Sequence, residues 1–490
     1  MNSIPILSAA LPRRSPALAV LASLAALGLA GPAAAHVGGR AMAQLLPTEI
    51  WAPAGTAVVA LTALALAVAP PAALRGLAGA RLRLPAGPRG PGARRMRRGA
   101  RDVVSCAMAL LVAGLVALGH FGSRDPLVNL APLMLWTGAL AILPLAQAAF
   151  GDLWAWLNPW TGPARLIRRA APRLARRWPR GLGRWPAAAT WLAFMGFMLA
   201  DPAPQDPARA ATAMGVYAAA MLALTVVFGP RTPGRACGLT VWLGLFASVA
   251  PLTRRGGRRA LRVPGLGPVR DRALVGAGAV ALVALGAGGF DGFNETFRWL
   301  ALIGVNPLEF PGRSAVERAT LLGLAGFAAA LAAIWLALAW GGMAAAGGWT
   351  PAARATARRA LPGLCLALAP IVVAYHIAHY LPVALVQGQY LVAALNDPFS
   401  MEVDFLRFHF GRNDVTTGFF NTYAGVRLIW LIQAGAVVAG HVAGVVCAHL
   451  AALDALDDPR RAARSQIAPA MFMVVYTLFG LWLLAAPTGA

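Results

Sequence analysis

Four histidines lie in two apolar segments near the C-terminal end of the chain: His376 and His379 in one, His441 and His449 in the next. A polar side chain at membrane depth is costly and is usually retained because it has a partner or a task. Histidine readily binds metal ions or moves protons near neutral pH. His376 and His379 are three residues apart, so we expect them on one helix face. The pattern predicts a metal or proton site, or interhelical hydrogen bonds worth about 0.6–2 kcal/mol.

A second polar group interrupts an apolar segment where the sequence reads Phe-Asp-Gly-Phe-Asn-Glu-Thr. Asp291 and Glu295 bring two carboxylates to the end of an expected helix, and His120 ends another. Carboxylate and histidine ligands together suit zinc, iron or copper. We therefore predict His376, His379 and His120 as ligands of a divalent metal ion, zinc or copper. Asp291 or Glu295 would be a further ligand or the general base; the alternative is a capped helix end.

His441 is a further candidate metal ligand. It lies eight residues after Gln433, so both are expected on one helix face. If the two histidine-bearing segments are antiparallel neighbours, their polar faces could form a pocket. His449 is expected at a helix end near the headgroups. Histidines on two helices can also bind haem, but these rows do not fall at matching depths, so haem is disfavoured.

The first 35 residues are typical of a secretory signal peptide. Arg13 and Arg14 precede an apolar run, and three alanines ending at Ala35 offer a small-residue cleavage site. Cleavage would make His36 the new N-terminus, where its amine and ring together could chelate copper. An ordinary polar residue after a cleavage site is the alternative. The domain prediction is a signal peptide over 1–35 and one transmembrane domain over 36–490.

The composition predicts an integral membrane protein. Of the 490 residues, 59% are hydrophobic and only 12% are charged, and many apolar runs approach the roughly 20 residues that cross a bilayer. The net charge of +25 comes from 43 basic residues, all arginine, clustered between apolar segments. This is the positive-inside pattern, whereas nucleic-acid binders place basic residues on a folded surface. The expected partner is therefore the lipid bilayer and not nucleic acid.

Charge and hydropathy together predict an all-α fold, a polytopic bundle of about ten transmembrane helices. The expected spans are 50–69, 103–121, 127–150, 186–200, 210–228, 273–290, 316–339, 361–395, 427–449 and 467–485. Segment 237–250 is too short to span, and spanning would put the arginines from Arg254 to Arg262 outside, so we expect a re-entrant or interfacial helix. Pro370 and Pro382 predict kinks or a break. Both mature termini would lie outside a bacterial inner membrane.

Several short patches, spread over nearly the whole chain, form a specific pattern together. They are 35–40, 151–160, 290–296, Ala-Tyr-His-Ile-Ala-His-Tyr at 374–380 with Gln387-Gly388-Gln389, Ile429-Trp430 with Gln433, Gly440-His441 with His449, and Arg464-Ser465-Gln466 with Gly480-Leu481-Trp482. With these patches the chain resembles bacterial polytopic membrane proteins labelled fenitrothion hydrolase or fenitrothion hydrolase-like. One departure is that Leu46-Pro47 lies further from Arg40 than in the family's Arg-x-x-Leu-Pro. The resemblance implies hydrolysis of an aryl phosphotriester or thiophosphotriester and assigns no catalytic residues.

Residues and resemblance together favour a membrane-embedded, metal-dependent hydrolase of small lipophilic organophosphates. One alternative is a copper- or metal-handling protein, or a small-solute transport protein, of the inner membrane, with His36 at its outer entrance. Another is a structural or assembly membrane protein whose histidines only pack between helices. The oligomeric state stays open.

We expect the mature protein to begin at His36, because the small residues before it meet the requirement for signal-peptide cleavage. N-terminal sequencing of the protein purified from membranes measures this directly. A chain that still carries residues of the 1–35 segment would contradict the prediction.

Overall fold

A computed structural model gives the fold and describes residues 48–85, 90–255, 258–268, 276–306, 309, 311–401, 403–456 and 458–486. The predicted signal peptide, His36 and the Leu46-Pro47 pair lie outside these residues. Within them the chain is a bundle of apolar α-helices with one small sheet. The predicted all-α polytopic fold is therefore confirmed.

The helices follow one another along the chain with short connections. They are α1 (Thr48–Val68), α2 (Pro71–Gly79), α3 (Pro91–Phe121), α4 (Leu130–Phe150), α5 (Trp154–Leu157), α6 (Thr161–Ala170), α7 (Trp185–Ala200), α8 (Pro207–Phe228), α9 (Pro233–Ala236), α10 (Gly238–Val249), α11 (Gly278–Asn294), α12 (Phe297–Leu302), α13 (Arg313–Ala346), α14 (Pro351–Leu366), α15 (Ala369–Asn396), α16 (Tyr423–Ala455), α17 (Pro459–Ser465) and α18 (Ile467–Ala485). The middle of α4, Leu133–Ile142, is π-helical. The strands are β1 (Arg81–Arg83), β2 (Leu252–Arg255) and β3 (Arg258–Arg262).

Eight helical stretches in the described part of the chain are long and apolar enough to cross a membrane: α1, α3, α4, α8, α13, α14 with α15, α16 and α18. They coincide with eight of the ten predicted spans. The other two predicted spans are α7, with 16 residues, and α11, with 17. At 1.5 Å per residue these helices are about 24–26 Å long, shorter than the roughly 30 Å hydrocarbon core. Both pack against each other and against α13.

The short apolar segment 237–250 forms α10, which has 12 residues and is about 18 Å long. The hairpin β2–β3 follows it, and β3 also pairs with β1 in an antiparallel sheet of order β1-β3-β2. The pairing puts the arginine-rich strands β1, β2 and β3 on one side of the bundle, which we call the arginine-rich side. Between β1 and α10 the chain runs along the bundle four times, in α3, α4, α7 and α8. An even number of passages returns the chain to the side on which it started. Hence α10 enters and leaves on the same side, as the charge pattern predicts.

The longest predicted span consists of two helices. The chain breaks between α14 and α15, beside Pro370, which stands in the first turn of α15. Pro382 remains inside α15, where its missing N–H leaves the carbonyl of Ala378, one turn earlier, without its helical donor. The Nε2 of Gln433 in α16 donates to that carbonyl. The proline and the glutamine together therefore tie α15 to α16, a pair that packs extensively.

Glycines on α11 allow α15 to approach closely. A Cβ at Gly288 would lie 2.9 Å from the ring of Tyr375, and one at Gly292 would lie 3.0 Å from its hydroxyl oxygen. That oxygen accepts a hydrogen bond of 2.9 Å from the Gly292 N–H. The glycine-rich run therefore sets the spacing between the helix that carries Asp291 and the helix that carries His379.

We expect Gly288→Ala to lower the free energy of unfolding by about 1–3 kcal/mol, because the added methyl group must displace Tyr375. The matched control is Gly326→Ala in α13, where a Cβ meets nothing within 4 Å and alanine favours the helix. Thermal unfolding of detergent-solubilised protein compares the two variants. Equal melting temperatures would contradict the close packing.

Candidate metal centre

Asp291, Glu295 and His379 converge at the end of α11 that lies away from the arginine-rich side. Asp291 is in the last turn of α11, Glu295 directly follows this helix, and His379 is in α15. One potential ligand atom from each residue lies within 4.8 Å of the others. Asp291 is buried, His379 is half-buried and Glu295 is exposed. The group therefore reaches from the interior of the bundle to its surface.

Two hydrogen-bond donors hold the Asp291 carboxylate. His379 Nε2 lies 3.2 Å from Asp291 Oδ2, and the Tyr380 hydroxyl donates to the same oxygen at 2.9 Å. If His379 carries its proton on Nε2, that N–H donates to the carboxylate and Nδ1 can accept from the Tyr375 hydroxyl, 3.5 Å away. The buried carboxylate thus has the partners that a buried charge requires.

The helical repeat of α15 brings the two tyrosines to the histidine. Tyr375 and His379 are four residues apart and share a helix face, and their rings stack with centroids 5.6 Å apart. Tyr380 follows His379 directly in the sequence. Sequence reasoning assigned no role to either tyrosine. The signal that could have found Tyr375 is its four-residue spacing from His379.

The cluster places two carboxylates close together. Arg313, the first residue of α13, interacts favourably with the charges of Asp291 and Glu295. Its guanidinium nevertheless donates to three backbone carbonyls at the end of α7. Beyond that helix, a hydrogen bond from Arg209 lowers the pKa of the Asp201 carboxyl. Both arginines therefore have partners away from the cluster, and a bound cation would offset its negative charge.

His376 faces a different helix from His379. Its Nε2 lies 3.5 Å from the carbonyl oxygen of Ala141 in α4, and its ring packs among aromatic rings. Pro144 has no N–H, so the carbonyl of Leu140, one turn earlier in α4, lacks its helical donor. His376 also interacts with the Leu140 carbonyl, so its burial has a structural explanation.

The remaining predicted ligands also lie apart from the carboxylates. His120 is exposed at the end of α3. His441 is buried, and its Nδ1 lies 2.8 Å from the Val437 carbonyl oxygen of its own helix. His36 lies outside the described residues. The structure thus brings Asp291 and Glu295 together with His379, and in the described part of the chain it places none of the other predicted histidines in this group.

A small cavity lies behind Asp291. Its volume is about 20 Å³, and its lining includes Asp291, His376 and Trp191. The Nε1–H of Trp191 has no hydrogen-bond partner among the described residues. The cavity has room for a water molecule but not for an organic substrate. A larger substrate must therefore reach the cluster from the exposed side, at Glu295.

The donor set of Asp291, Glu295 and His379 fits a divalent metal ion. Zinc binds carboxylate oxygen and histidine nitrogen at about 2.0–2.2 Å, so two ligand atoms on one ion are at most about 4.4 Å apart. The separations here, within 4.8 Å, require only a small closure. Three protein ligands leave a coordination position open.

A scan against protein-family models and searches of curated proteins and of solved structures found no match for the chain.

We expect the purified protein to bind about one zinc ion, and Asp291→Asn to lose it because a neutral amide replaces a charged ligand. His120→Ala, which alters an exposed histidine outside the cluster, should keep the ion. Metal content after purification, measured by mass spectrometry, tests both variants. If the wild-type protein binds no metal and Asp291→Asn only lowers the melting temperature, the group is a structural ion pair.

Tyr380→Phe should weaken the same site without abolishing it. The substitution keeps the ring and removes the O–H that donates to Asp291. Loss of a hydrogen bond that orients a ligand typically lowers metal affinity by about 10–100-fold. Competition with a chelator measures the affinity. An affinity equal to that of the wild-type protein would show that Tyr380 does not orient the carboxylate.

Proposed function

We propose that this protein is a membrane-embedded, metal-dependent hydrolase of lipophilic aryl phosphotriesters or thiophosphotriesters. The observation that supports it is the convergence of Asp291, Glu295 and His379. Catalytic metal sites commonly have three protein ligands and one open position, whereas structural sites are closed. Lipophilic esters partition into a bilayer, which concentrates them around the bundle. The proposal includes the bacterial inner membrane, with the arginine-rich side inside and both mature termini outside.

Each residue at the candidate site would have its own role in hydrolysis of the ester. A divalent ion held by the cluster would polarise the P=O or P=S group and make a water molecule more acidic. Glu295, the exposed ligand, would take the proton of the attacking water through the carboxylate oxygen that does not bind the ion. The water oxygen bonds to phosphorus while the bond to the aryl oxygen breaks, and the phenolate leaves with little help from an acid. The Tyr380 hydroxyl would hold Asp291 in place during this displacement.

The size of the cavity behind Asp291 favours a second candidate, a metal-handling or small-solute transport protein. An ion or a water molecule fits a space of about 20 Å³, whereas an organophosphate does not. In this alternative, Glu295 would capture the ion at the surface, and Asp291 with His379 would hold it further inside. The same three residues would then bind the ion during its transport and would not catalyse hydrolysis.

We expect purified, detergent-solubilised protein to release nitrophenolate from an aryl phosphotriester, to lose this activity on chelation and to regain it with added metal. Glu295→Gln, assayed with saturating metal because the residue is also a ligand, should lower kcat by about 10²–10⁴-fold, the usual contribution of a general base. His120→Ala is the control that should retain full turnover.

Absence of turnover in well-folded, metal-loaded protein would rule out the hydrolase. Uptake of metal into proteoliposomes that His379→Gln abolishes would then favour the second candidate. A protein that neither binds metal nor turns over the ester would be left with a structural role.

A further inference from the structure

The small sheet on the arginine-rich side carries a dense positive charge. Seven of the twelve residues in its strands are arginine, and none is acidic. In three cross-strand pairs arginine stands opposite arginine: Arg81 and Arg262, Arg254 and Arg259, and Arg255 and Arg258. A surface with this composition suits an anionic partner.

One face of the sheet is also apolar. Leu82 stands opposite Leu261, and Leu261 stands opposite Leu252, so a row of leucines crosses all three strands. Leu82 is 65% exposed and Leu261 is 38% exposed. Arg259, two residues before Leu261, lies on the same face and is exposed. We call this surface the leucine face.

The opposite face of the sheet packs on the protein. Ala260, which alternates with the leucine face, is buried. The guanidinium of Arg262 donates to the carbonyls of Ala247 and Ala250 at the end of α10. The leucine face is therefore turned away from the bundle.

The position of the sheet in the chain keeps it close to the membrane surface. β1 is joined through the short helix α2 to the spanning helix α1. Arg75 in α2 donates to the Leu453 carbonyl and lies 3.6 Å from Asp454, at the end of α16. The sheet is thus held beside helices that end at this membrane surface, within reach of lipid.

We propose that the leucine face lies in the interfacial layer of the protein's own membrane and binds anionic phospholipids. Leucines beside arginines are typical of surfaces that lie in this layer. The leucines enter the boundary of the acyl chains, and Arg259 meets the lipid phosphate, which a guanidinium can bind through two parallel hydrogen bonds. This proposal does not depend on the hydrolase.

Hydrogen exchange of the full chain in lipid nanodiscs tests the proposal. Backbone amides of 81–83, 252–255 and 258–262 should exchange more slowly in equimolar phosphatidylglycerol and phosphatidylcholine than in phosphatidylcholine alone. Arg259→Gln should lower the affinity for the anionic lipid about fivefold, the contribution of one basic residue near an anionic surface, and so reduce this difference. Arg259→Lys, which keeps the charge, should retain most of it and shows that the strand still folds. The matched control is Arg177→Gln, an exposed arginine outside the sheet.

Equal exchange in the two kinds of nanodisc would overturn the proposal. Two further experiments, each with detergent-solubilised protein, identify the anion that the sheet binds. Full protection by inorganic phosphate would assign the sheet to a free small anion, and full protection by an RNA oligonucleotide would assign it to nucleic acid. Either result would also overturn binding to lipid.

Discussion

The buried carboxylate of Asp291 is the constraint on which the arrangement of the central helices depends. A charge inside an apolar bundle is stable only where donors stand at fixed positions around it. Those donors, Tyr380 and His379, both come from α15. The two helices must therefore approach closely, and Gly288 and Gly292 make that approach sterically feasible. The packing of the core and the geometry of the candidate site thus have the same physical origin.

Buried polar groups in this bundle serve two different purposes. Within a bilayer every backbone donor and acceptor must find a partner inside the protein, and prolines break that rule locally. Gln433 bonds the carbonyl freed by Pro382, and His376 lies against the turn that a proline interrupts in α4. In both places a side chain compensates for a backbone hydrogen bond that a proline cannot make. The contact between Asp291 and His379 joins two side chains and compensates for no missing backbone hydrogen bond. It is therefore the better candidate for a reactive site.

The two ends of the bundle have opposite chemical character. The carboxylate cluster lies at the end of α11 that points away from the sheet, and the arginine sheet lies at the other end. A cation suits the first and an anion the second, so their ligands need not compete. Lipid is common to both proposals, as the reservoir of a lipophilic ester in one and as the ligand itself in the other.

The sequence by itself determined the class of fold, because helices able to span a bilayer follow from local apolar length. It also offered Asp291 and Glu295, with five histidines, as residues suited to bind metal: His36, His120, His376, His379 and His441. Only the tertiary structure decided which histidine joins the carboxylates. Residues three apart differ by about 60° around a helix axis. In a bundle that angle turns His376 towards α4 and His379 towards α11, and no local pattern specifies which helix lies in either direction.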